Sequence, residues 1–167
     1  MHLQEKTVKS DVVYEGSIFT ITHDIAELEN GKNSVRDVLH HHGGVCVVPV
    51  TENNEIYLVR QFRYPFAAVT TEVPAGKLEK GEDHAACGRR ELLEEVGCEC
   101  SEFIYLGEML PTPAYDTEIT HMYLAKGLSF SCQSLDEDEF LDVEKIPLAE
   151  AVKLVMDGKI RDGKTQL

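Results

Sequence analysis

The sequence predicts a single α/β (α+β) domain in which helices pack against a mixed sheet. β-branched and alternating runs dominate the first third of the chain, and turn residues such as those at 29–32 separate them, as in a series of antiparallel strands. Residues 83–96 instead place apolar side chains near helical spacing, and Gly97 follows as a stop signal. Strands and a second helix recur toward the C-terminus. Strands that alternate with helices in this way predict a mixed sheet with helices against it.

The predicted elements follow one another without a linker, a repeat or a low-complexity segment. The run 45–50 is almost wholly apolar, which is typical of a strand that is covered on both faces. A second helix over 148–156 ends at Asp157 and Gly158. The predicted strands are 12–14, 17–28, 34–40, 45–51, 56–62, 103–108 and 117–125.

The chain is strongly acidic, because 30 Asp and Glu residues against 16 Lys and Arg residues give a formal net charge of -14. Such a surface repels polyanions, so we expect no nucleic acid and no membrane among its partners. No N-terminal stretch resembles a signal peptide, and no run approaches the roughly 18 apolar residues of a membrane span, which predicts a cytoplasmic protein. The five cysteines contain no CxxC pair, so reduced thiols are expected rather than a zinc site.

Three glutamates, Glu91, Glu94 and Glu95, stand at i, i+3 and i+4 within the predicted helix. This spacing places them on nearly the same helix face, about 5–6 Å apart at Cβ. Like charges so placed destabilise a helix by roughly 0.2–0.5 kcal/mol per pair, so a cation should offset them. Arg90 can reach part of this charge. Taken alone, the triplet favours a solvated acidic helix face over a metal site.

The residues around this triplet favour a metal site over a solvated face. Gly76, Glu82 and the run 90–97 follow one another with gaps of five and seven residues. This pattern over residues 76–98 resembles the signature of the Nudix hydrolases. Its last position, usually a branched aliphatic residue, is Cys98 here, and cysteine often acts as a small buried hydrophobe. The resemblance implies a Nudix fold, an α/β/α sandwich with a mixed central sheet and an N-terminal antiparallel strand extension.

The resemblance also implies how the chain is organised. Residues 1–42 would form N-terminal antiparallel strands that serve dimerisation and the substrate pocket. Residues 43–167 would form the hydrolase domain, with the Nudix box at 76–98. Relatives of this kind are typically homodimers, so a homodimer is expected.

In Nudix hydrolases the residues that match the box glutamates hold a divalent metal. Mg²⁺ prefers hard oxygen ligands and is bound by a few carboxylates together with substrate phosphate, so Mg²⁺ is expected, with Mn²⁺ as the alternative. The metal would neutralise and polarise a diphosphate and help to generate hydroxide from water. The implied ligands are Glu91, Glu95 and Glu94 with the backbone carbonyl of Ala75, and the implied supporting residues are Gly76, Glu82 and Arg90. Gly76 would let the chain turn sharply into the metal loop.

Segments outside the box resemble the ADP-ribose pyrophosphatases, which implies hydrolysis of ADP-ribose to AMP and ribose 5-phosphate. Pro113, which falls 15 residues after Cys98, has the spacing of this subfamily and would shape the loop near the substrate. In relatives a glutamate of an acidic loop deprotonates the attacking water. Glu139 is preferred for this role, Glu137 is close behind, and box glutamates such as Glu94 remain alternatives. The matching segments are 61–65, 72–76 and 136–139.

Two arginines and an aromatic residue are further candidates for substrate binding by the same resemblance. In relatives an arginine that matches Arg63 contacts the substrate, and one near Arg36 lies at the phosphate. Either side chain is also compatible with a structural arginine on a strand. Because the chain has no Trp, an aromatic such as Phe19, Tyr14 or Tyr64 would have to stack on adenine.

Two other functions stay open at this point. The absence of Trp keeps open a hydrolase of another nucleotide sugar, such as GDP-mannose, or of a dinucleoside diphosphate. A Nudix-fold sensor would bind a nucleotide without hydrolysing it, but such modules usually lose box glutamates that this chain retains. Residues 158–165 resemble the start of the last helix of the family, and that helix is expected to be short or absent.

Overall fold

The computed structural model describes residues 2–135 and 139–167. The chain forms two compact units. The first contains the residues up to Gly43 together with Leu110–Ile119, and the second contains Gly44–Met109 together with Thr120–Leu167.

The first unit is built on a three-stranded antiparallel sheet in which the second strand lies in the middle. Gly31 adopts a φ of 75° in the predicted turn between the second and third strands, and its N–H donates to the carbonyl of Leu28. Leu39 exchanges backbone hydrogen bonds with the loop 110–119 of the same unit, including one from Thr117. The strands are β1 (Lys6–Glu15), β2 (Phe19–Glu27) and β3 (Asn33–His41).

In its described residues, the second unit contains two sheets and three α-helices. A four-stranded sheet has the order β7-β4-β9-β8, in which β4 and β9 are parallel and the other pairs are antiparallel. A three-stranded antiparallel sheet has the order β10-β5-β6. The mixed sheet and the α+β class predicted from the sequence are therefore confirmed. The strands are β4 (Gly44–Pro49), β5 (Glu55–Arg63), β6 (Ala68–Glu72), β7 (Ala75–Lys77), β8 (Cys98–Met109), β9 (Thr120–Phe130) and β10 (Leu141–Pro147), and the helices are α1 (His84–Val96), α2 (Leu148–Met156) and α3 (Gly163–Gln166).

Strand β4 separates two hydrophobic cores. Val45 and Val47 lie in the first core, which also contains Leu92 of α1. Cys46, between them in sequence, lies in the second core, which also contains Ala151 of α2. Alternate residues of a strand point to opposite faces, so the almost wholly apolar run of β4 is explained by cover on both sides.

Helix α1 has a defined cap at each end. The Asp83 side chain accepts hydrogen bonds from the N–H groups of Ala85 and Ala86 at 3.1 and 3.0 Å, which satisfies free donors of the first turn. Gly97 ends the helix in the left-handed region with a φ of 68°. Cys98 then enters the first core with no exposed surface, in keeping with its interpretation as a buried hydrophobe. The predicted helix over residues 83–96 is confirmed.

Three strands of the second unit were not predicted from the sequence. Strand β6 contains Val69 as its one large aliphatic residue, and β7 has only three residues, so neither carries a strong alternating pattern. Strand β10 is mostly exposed, and polar residues interrupt its apolar ones. A short helix, α3, does form at Gly163–Gln166. Within the described ranges, no helix combines the length and the apolar character needed to cross a membrane.

Candidate active site

The three predicted ligands on α1 differ in exposure. Glu91 is 8% exposed and Glu95 is 4% exposed, whereas Glu94 is half-buried. The Glu95 carboxylate accepts a hydrogen bond of 2.9 Å from the N–H of Ala75, the first residue of β7. Helix α1 thus carries two buried carboxylates one turn apart, facing the strand that opens the predicted box.

Gly76 leaves room for one of these carboxylates. A Cβ atom at this position would lie 1.8 Å from Oε1 of Glu91, far inside van der Waals contact. Gly76 lies within β7 and does not have a positive φ. The position therefore requires glycine because of the close approach of Glu91, rather than because of a sharp turn.

Arg90 holds three glutamates together. Its Nη1 lies 2.8 Å from Oε1 of Glu91 and 2.9 Å from Oε2 of Glu94, and its Nε lies 3.2 Å from Oε1 of Glu82. Burial alone would lower the pKa of Arg90, but these carboxylates more than compensate and raise it. The guanidinium therefore stays charged and fixes Glu91 and Glu94 on the α1 surface.

Burial is the main cause that raises the pKa of Glu95 to about 8, and the negative charges of Glu91 and Glu139 contribute in the same direction. The hydrogen bond from Ala75 partly opposes this rise. Burial also raises the pKa of Glu91, against the opposing charge of Arg90, and Glu139 contributes in the same direction. Glu91, Glu95 and Glu139 are thus close enough to repel one another, so the site favours a cation among them.

The chemistry of this donor set fits a hard divalent cation. Buried carboxylates that repel one another supply the hard oxygen atoms that such cations prefer, and Mg²⁺ typically needs only one or two of them besides substrate phosphates. Among residues 2–135 and 139–167, no group of three or more His, Cys, Asp or Glu side chains converges as a metal cage. Arg90 instead engages the carboxylates of Glu91 and Glu94. The Glu91 and Glu95 pair is therefore the part of the site that suits a metal.

A second charged cluster surrounds Glu72 at the end of β6. Glu72 is 2% exposed and receives two hydrogen bonds from Arg63, Nε to Oε1 at 2.8 Å and Nη2 to Oε2 at 2.7 Å. Thr70 and Lys164 also donate to its carboxylate. Burial by itself would raise the pKa of Glu72, but Arg63 and Lys164 outweigh it and hold the pKa at about 2. The charges of Arg63 and Glu95 also interact, which relates this cluster to the carboxylates of α1.

Residues 40–165 match the family model for the NUDIX domain. The chain belongs to the Nudix family. It is 41% identical to the methanol dehydrogenase activator of Bacillus methanolicus, over 97% of this chain and 89% of that protein. It is 38% identical to the ADP-ribose pyrophosphatase of Bacillus subtilis (strain 168), over 98% of this chain and 89% of that protein.

A solved structure of an ADP compounds hydrolase shares the fold of this Nudix chain. The TM-score is 0.85 at 22% sequence identity, and the match covers 97% of this chain and 88% of that chain. The predictions of a Nudix hydrolase and of a Nudix fold are therefore confirmed. Nudix hydrolases generally use a divalent metal ion, which agrees with the donor set on α1.

The Nudix box of this chain spans β7, the loop after it, α1 and Cys98. Within the box, the structure brings the three glutamates of α1 close to Gly76, Glu82, Arg90 and the backbone of Ala75. Arg63, outside the box, interacts with the charge of Glu95. Glu139 is half-buried and its charge acts on Glu91 and Glu95. Glu137 lies outside the described residues.

Three predicted substrate residues belong to the first unit. Arg36 pairs with Glu5, with Nη2 2.6 Å from Oε1, on an exposed surface. Phe19 packs against Tyr14 with ring centroids 5.7 Å apart. Pro113 lies in the loop 110–119. Their roles in substrate binding stay predictions.

Glu72 and Lys164 were not predicted as site residues, although both are charged and buried or half-buried beside Arg63. The segment 72–76 resembles the ADP-ribose pyrophosphatases, but that resemblance assigned no role to Glu72, which directly precedes the buried residues Val73 and Pro74. Pairing of β6 with β5 would place Glu72 near Arg63, but β6 itself carries no clear strand pattern. Lys164 has no local signal, since its partner lies 92 positions earlier in the chain.

The low pKa of Glu72 predicts an acid-sensitive contribution to stability. Its folded pKa of about 2 lies below the unfolded value of about 4.3, so ionised Glu72 stabilises the fold above that value and its contribution disappears as the pH falls toward 2. We expect Glu72→Gln to lower the free energy of unfolding by about 3 kcal/mol at neutral pH, with a smaller loss in mild acid.

Urea unfolding of both chains at several pH values between about 7 and 3 measures this difference. Glu52→Gln, at an exposed turn position, is the matched control and should leave the pH dependence unchanged. A stability difference between wild type and Glu72→Gln that is constant over this pH range would contradict the assignment.

Proposed function

We propose that this Nudix hydrolase cleaves ADP-ribose to AMP and ribose 5-phosphate with Mg²⁺, or Mn²⁺ in its place. The observation that carries the reaction class is the pair of buried carboxylates, Glu91 and Glu95, together with the charge interaction between Glu95 and the Arg63 guanidinium. Carboxylates can hold a divalent metal, and a neighbouring guanidinium can bind phosphate oxygens, so this arrangement suits a diphosphate substrate. The name and the 38% identity of the Bacillus subtilis relative support ADP-ribose as that substrate.

The metal would be held by Glu91 and Glu95, with Glu94 assisting and the Ala75 carbonyl as a further ligand. When bound, a divalent cation offsets the negative charge of the diphosphate and polarises it. Arg90 supports this arrangement by fixing Glu91 and Glu94, and Glu82 in turn holds Arg90. Gly76 keeps the space that Glu91 occupies.

Arg63 would bind a phosphate oxygen of the substrate. Its Nε and Nη2 are engaged by Glu72, which leaves the Nη1 edge of the fork for a ligand, and 41% of its side chain is exposed. Glu139 would take a proton from the attacking water, because its carboxylate lies close enough to Glu91 and Glu95 to raise their pKa values. The water oxygen then bonds to one phosphorus, and the bond from that phosphorus to the bridging oxygen breaks.

Glu95→Gln tests the metal-binding role. We expect it to lower kcat/KM for ADP-ribose at least about a hundredfold, because it removes a charge that would hold the cation. Added alkaline phosphatase releases phosphate from AMP and ribose 5-phosphate but not from intact ADP-ribose, so phosphate release measures turnover.

Glu99→Gln, at an exposed position just past α1, is the matched control and should retain wild-type activity. Full activity in Glu95→Gln would contradict the mechanism. Faster turnover of GDP-mannose than of ADP-ribose by the wild-type chain would contradict only the choice of substrate.

Glu139→Gln tests the identity of the base. We expect kcat to fall at least about a hundredfold with little change in KM, whereas Glu137→Gln changes kcat by less than about threefold. Steady-state kinetics with ADP-ribose at saturating Mg²⁺ measure both. The reverse pattern would assign the base to Glu137, and full activity in both variants would assign it to a box glutamate such as Glu94.

The first unit supports two further parts of the proposal, namely residues 1–42 as the dimerisation segment and the adenine pocket. Val12 and Val13 of β1 are 63% and 61% exposed, and exposed apolar side chains of this kind suit a homodimer contact. Phe19 or Tyr14 would stack on adenine, Arg36 would contact phosphate and Pro113 would shape the nearby loop. The second unit, within residues 43–167, carries the box.

A second candidate function is activation of a methanol dehydrogenase. It is favoured by the 41% identity to the Bacillus methanolicus activator over 97% of this chain. We expect the wild-type chain to raise the turnover of purified methanol dehydrogenase, measured with and without the chain present. An unchanged turnover would contradict this candidate and leave hydrolysis of ADP-ribose unaffected.

A further inference from the structure

The carboxylate of Glu72 is shared by two cations that come from distant parts of the chain. Arg63, at the end of β5, takes one edge of it through Nε and Nη2. Lys164, in α3, donates to Oε2 from a side chain that is only 14% exposed. A buried carboxylate is stabilised only when its oxygen atoms are paired and hydrogen-bonded, and here both are.

Lys164 is itself held in place by its surroundings. Asp162 caps α3 by accepting a hydrogen bond from the N–H of Thr165, and its other oxygen lies 3.0 Å from Nζ of Lys164. The Thr165 hydroxyl accepts a hydrogen bond of 2.9 Å from the N–H of Val73, the residue after Glu72. Ile160 anchors the segment in the second core. The α3 segment therefore fastens the strand end that carries Glu72.

The Arg63 guanidinium gains its orientation from this arrangement. Two parallel hydrogen bonds to one carboxylate define the plane of the fork, so the position of Glu72 determines where the Nη1 edge points. A shift of Glu72 would be transmitted to Arg63 directly.

The Lys164 charge also balances the charge of the cluster around Glu72. Glu72 pairs with two cations, so Arg63 does not have to neutralise the whole of the buried charge. Loss of the Lys164 charge would leave Glu72 and Asp162 with Arg63 alone, and the cluster would change from neutral to a net charge of about -1. A negative cluster beside Glu95 would weaken binding of an anionic diphosphate.

We propose that Lys164 is a positioning residue for the substrate: it fixes Glu72, and through Glu72 it holds the Arg63 guanidinium in the orientation that binds the diphosphate. This role rests on the proposed function, in which Arg63 contacts substrate. The hydrogen bonds of Lys164 to described residues go to Glu72 and Asp162, so Lys164 would act on substrate binding through Glu72 and Arg63.

Lys164→Met is the direct test. With ADP-ribose and Mg²⁺ we expect KM to rise about tenfold while kcat stays within about twofold, the pattern of a lost binding interaction. Lys164→Arg keeps the charge and should return KM to within about threefold of wild type. Lys159→Met removes an exposed lysine five residues earlier and should change neither constant. Thermal unfolding identifies variants that are folded at the assay temperature.

A double-mutant cycle separates action through Arg63 from independent action. Arg63→Gln raises KM by itself, and addition of Lys164→Met to that variant should raise KM less than about twofold more, because the residue through which Lys164 acts is gone. If Lys164→Met does not fold, Lys164→Gln, which removes the charge but keeps a shorter polar side chain with a hydrogen-bond donor, replaces it with the same expectation.

Two results overturn the role of Lys164 and leave the proposed function standing. One is an unchanged KM in the folded Lys164 variant with normal wild-type turnover. The other is a rise in KM that persists in full in the Arg63→Gln background. Absence of wild-type turnover of ADP-ribose overturns the proposed function and this inference together.

Discussion

The burial of two carboxylates on one turn of α1 constrains much of the second unit. Glu91 and Glu95 are removed from water and repel each other, so their surroundings have to compensate. Arg90 pairs with Glu91, and the amide of Ala75 donates to Glu95. Gly76, which has no side chain, leaves the space that the Glu91 carboxylate occupies. The negative charge of Glu91 and Glu95 that these contacts do not offset favours a bound cation. This is why a chain with a net charge of -14 is suited to an anionic diphosphate, since a bound metal reverses the sign of the charge locally.

The elements that hold these carboxylates could be predicted from the sequence because their signals are local. The periodicity of residues 83–96, the Asp83 cap and Gly97 together define α1. The spacing of Glu91, Glu94 and Glu95 determines their common face once the helix is known. The apolar run of β4 indicated cover on both sides. Properties that depend on a few neighbouring residues are visible without tertiary structure.

The second charged cluster could not be predicted, because its contacts are distant in sequence. Glu72 and Lys164 are 92 positions apart, and no short pattern connects them. Strand β6, which brings Glu72 opposite β5, has too few apolar residues to stand out. The need for glycine at position 76 was predicted, but its cause was not, because it depends on where the Glu91 side chain lies. Charged residues that fold into the interior are recognised only when their partners are known.

Strand β4 carries none of the residues assigned to the reaction, yet it supports both halves of the site from opposite faces. Val45 and Val47 pack in the core behind α1, and Gly88 of α1 lies so close that an added Cβ would be 2.9 Å from Val45. Cys46 packs in the core that anchors Ile160, just before the segment with Lys164. A change of side-chain volume on one face of β4 would therefore act on α1, which carries Glu91 and Glu95, and a change on the other face would act on the segment that carries Lys164. Neighbouring residues of one buried strand thus contact the supports of the two charged clusters separately.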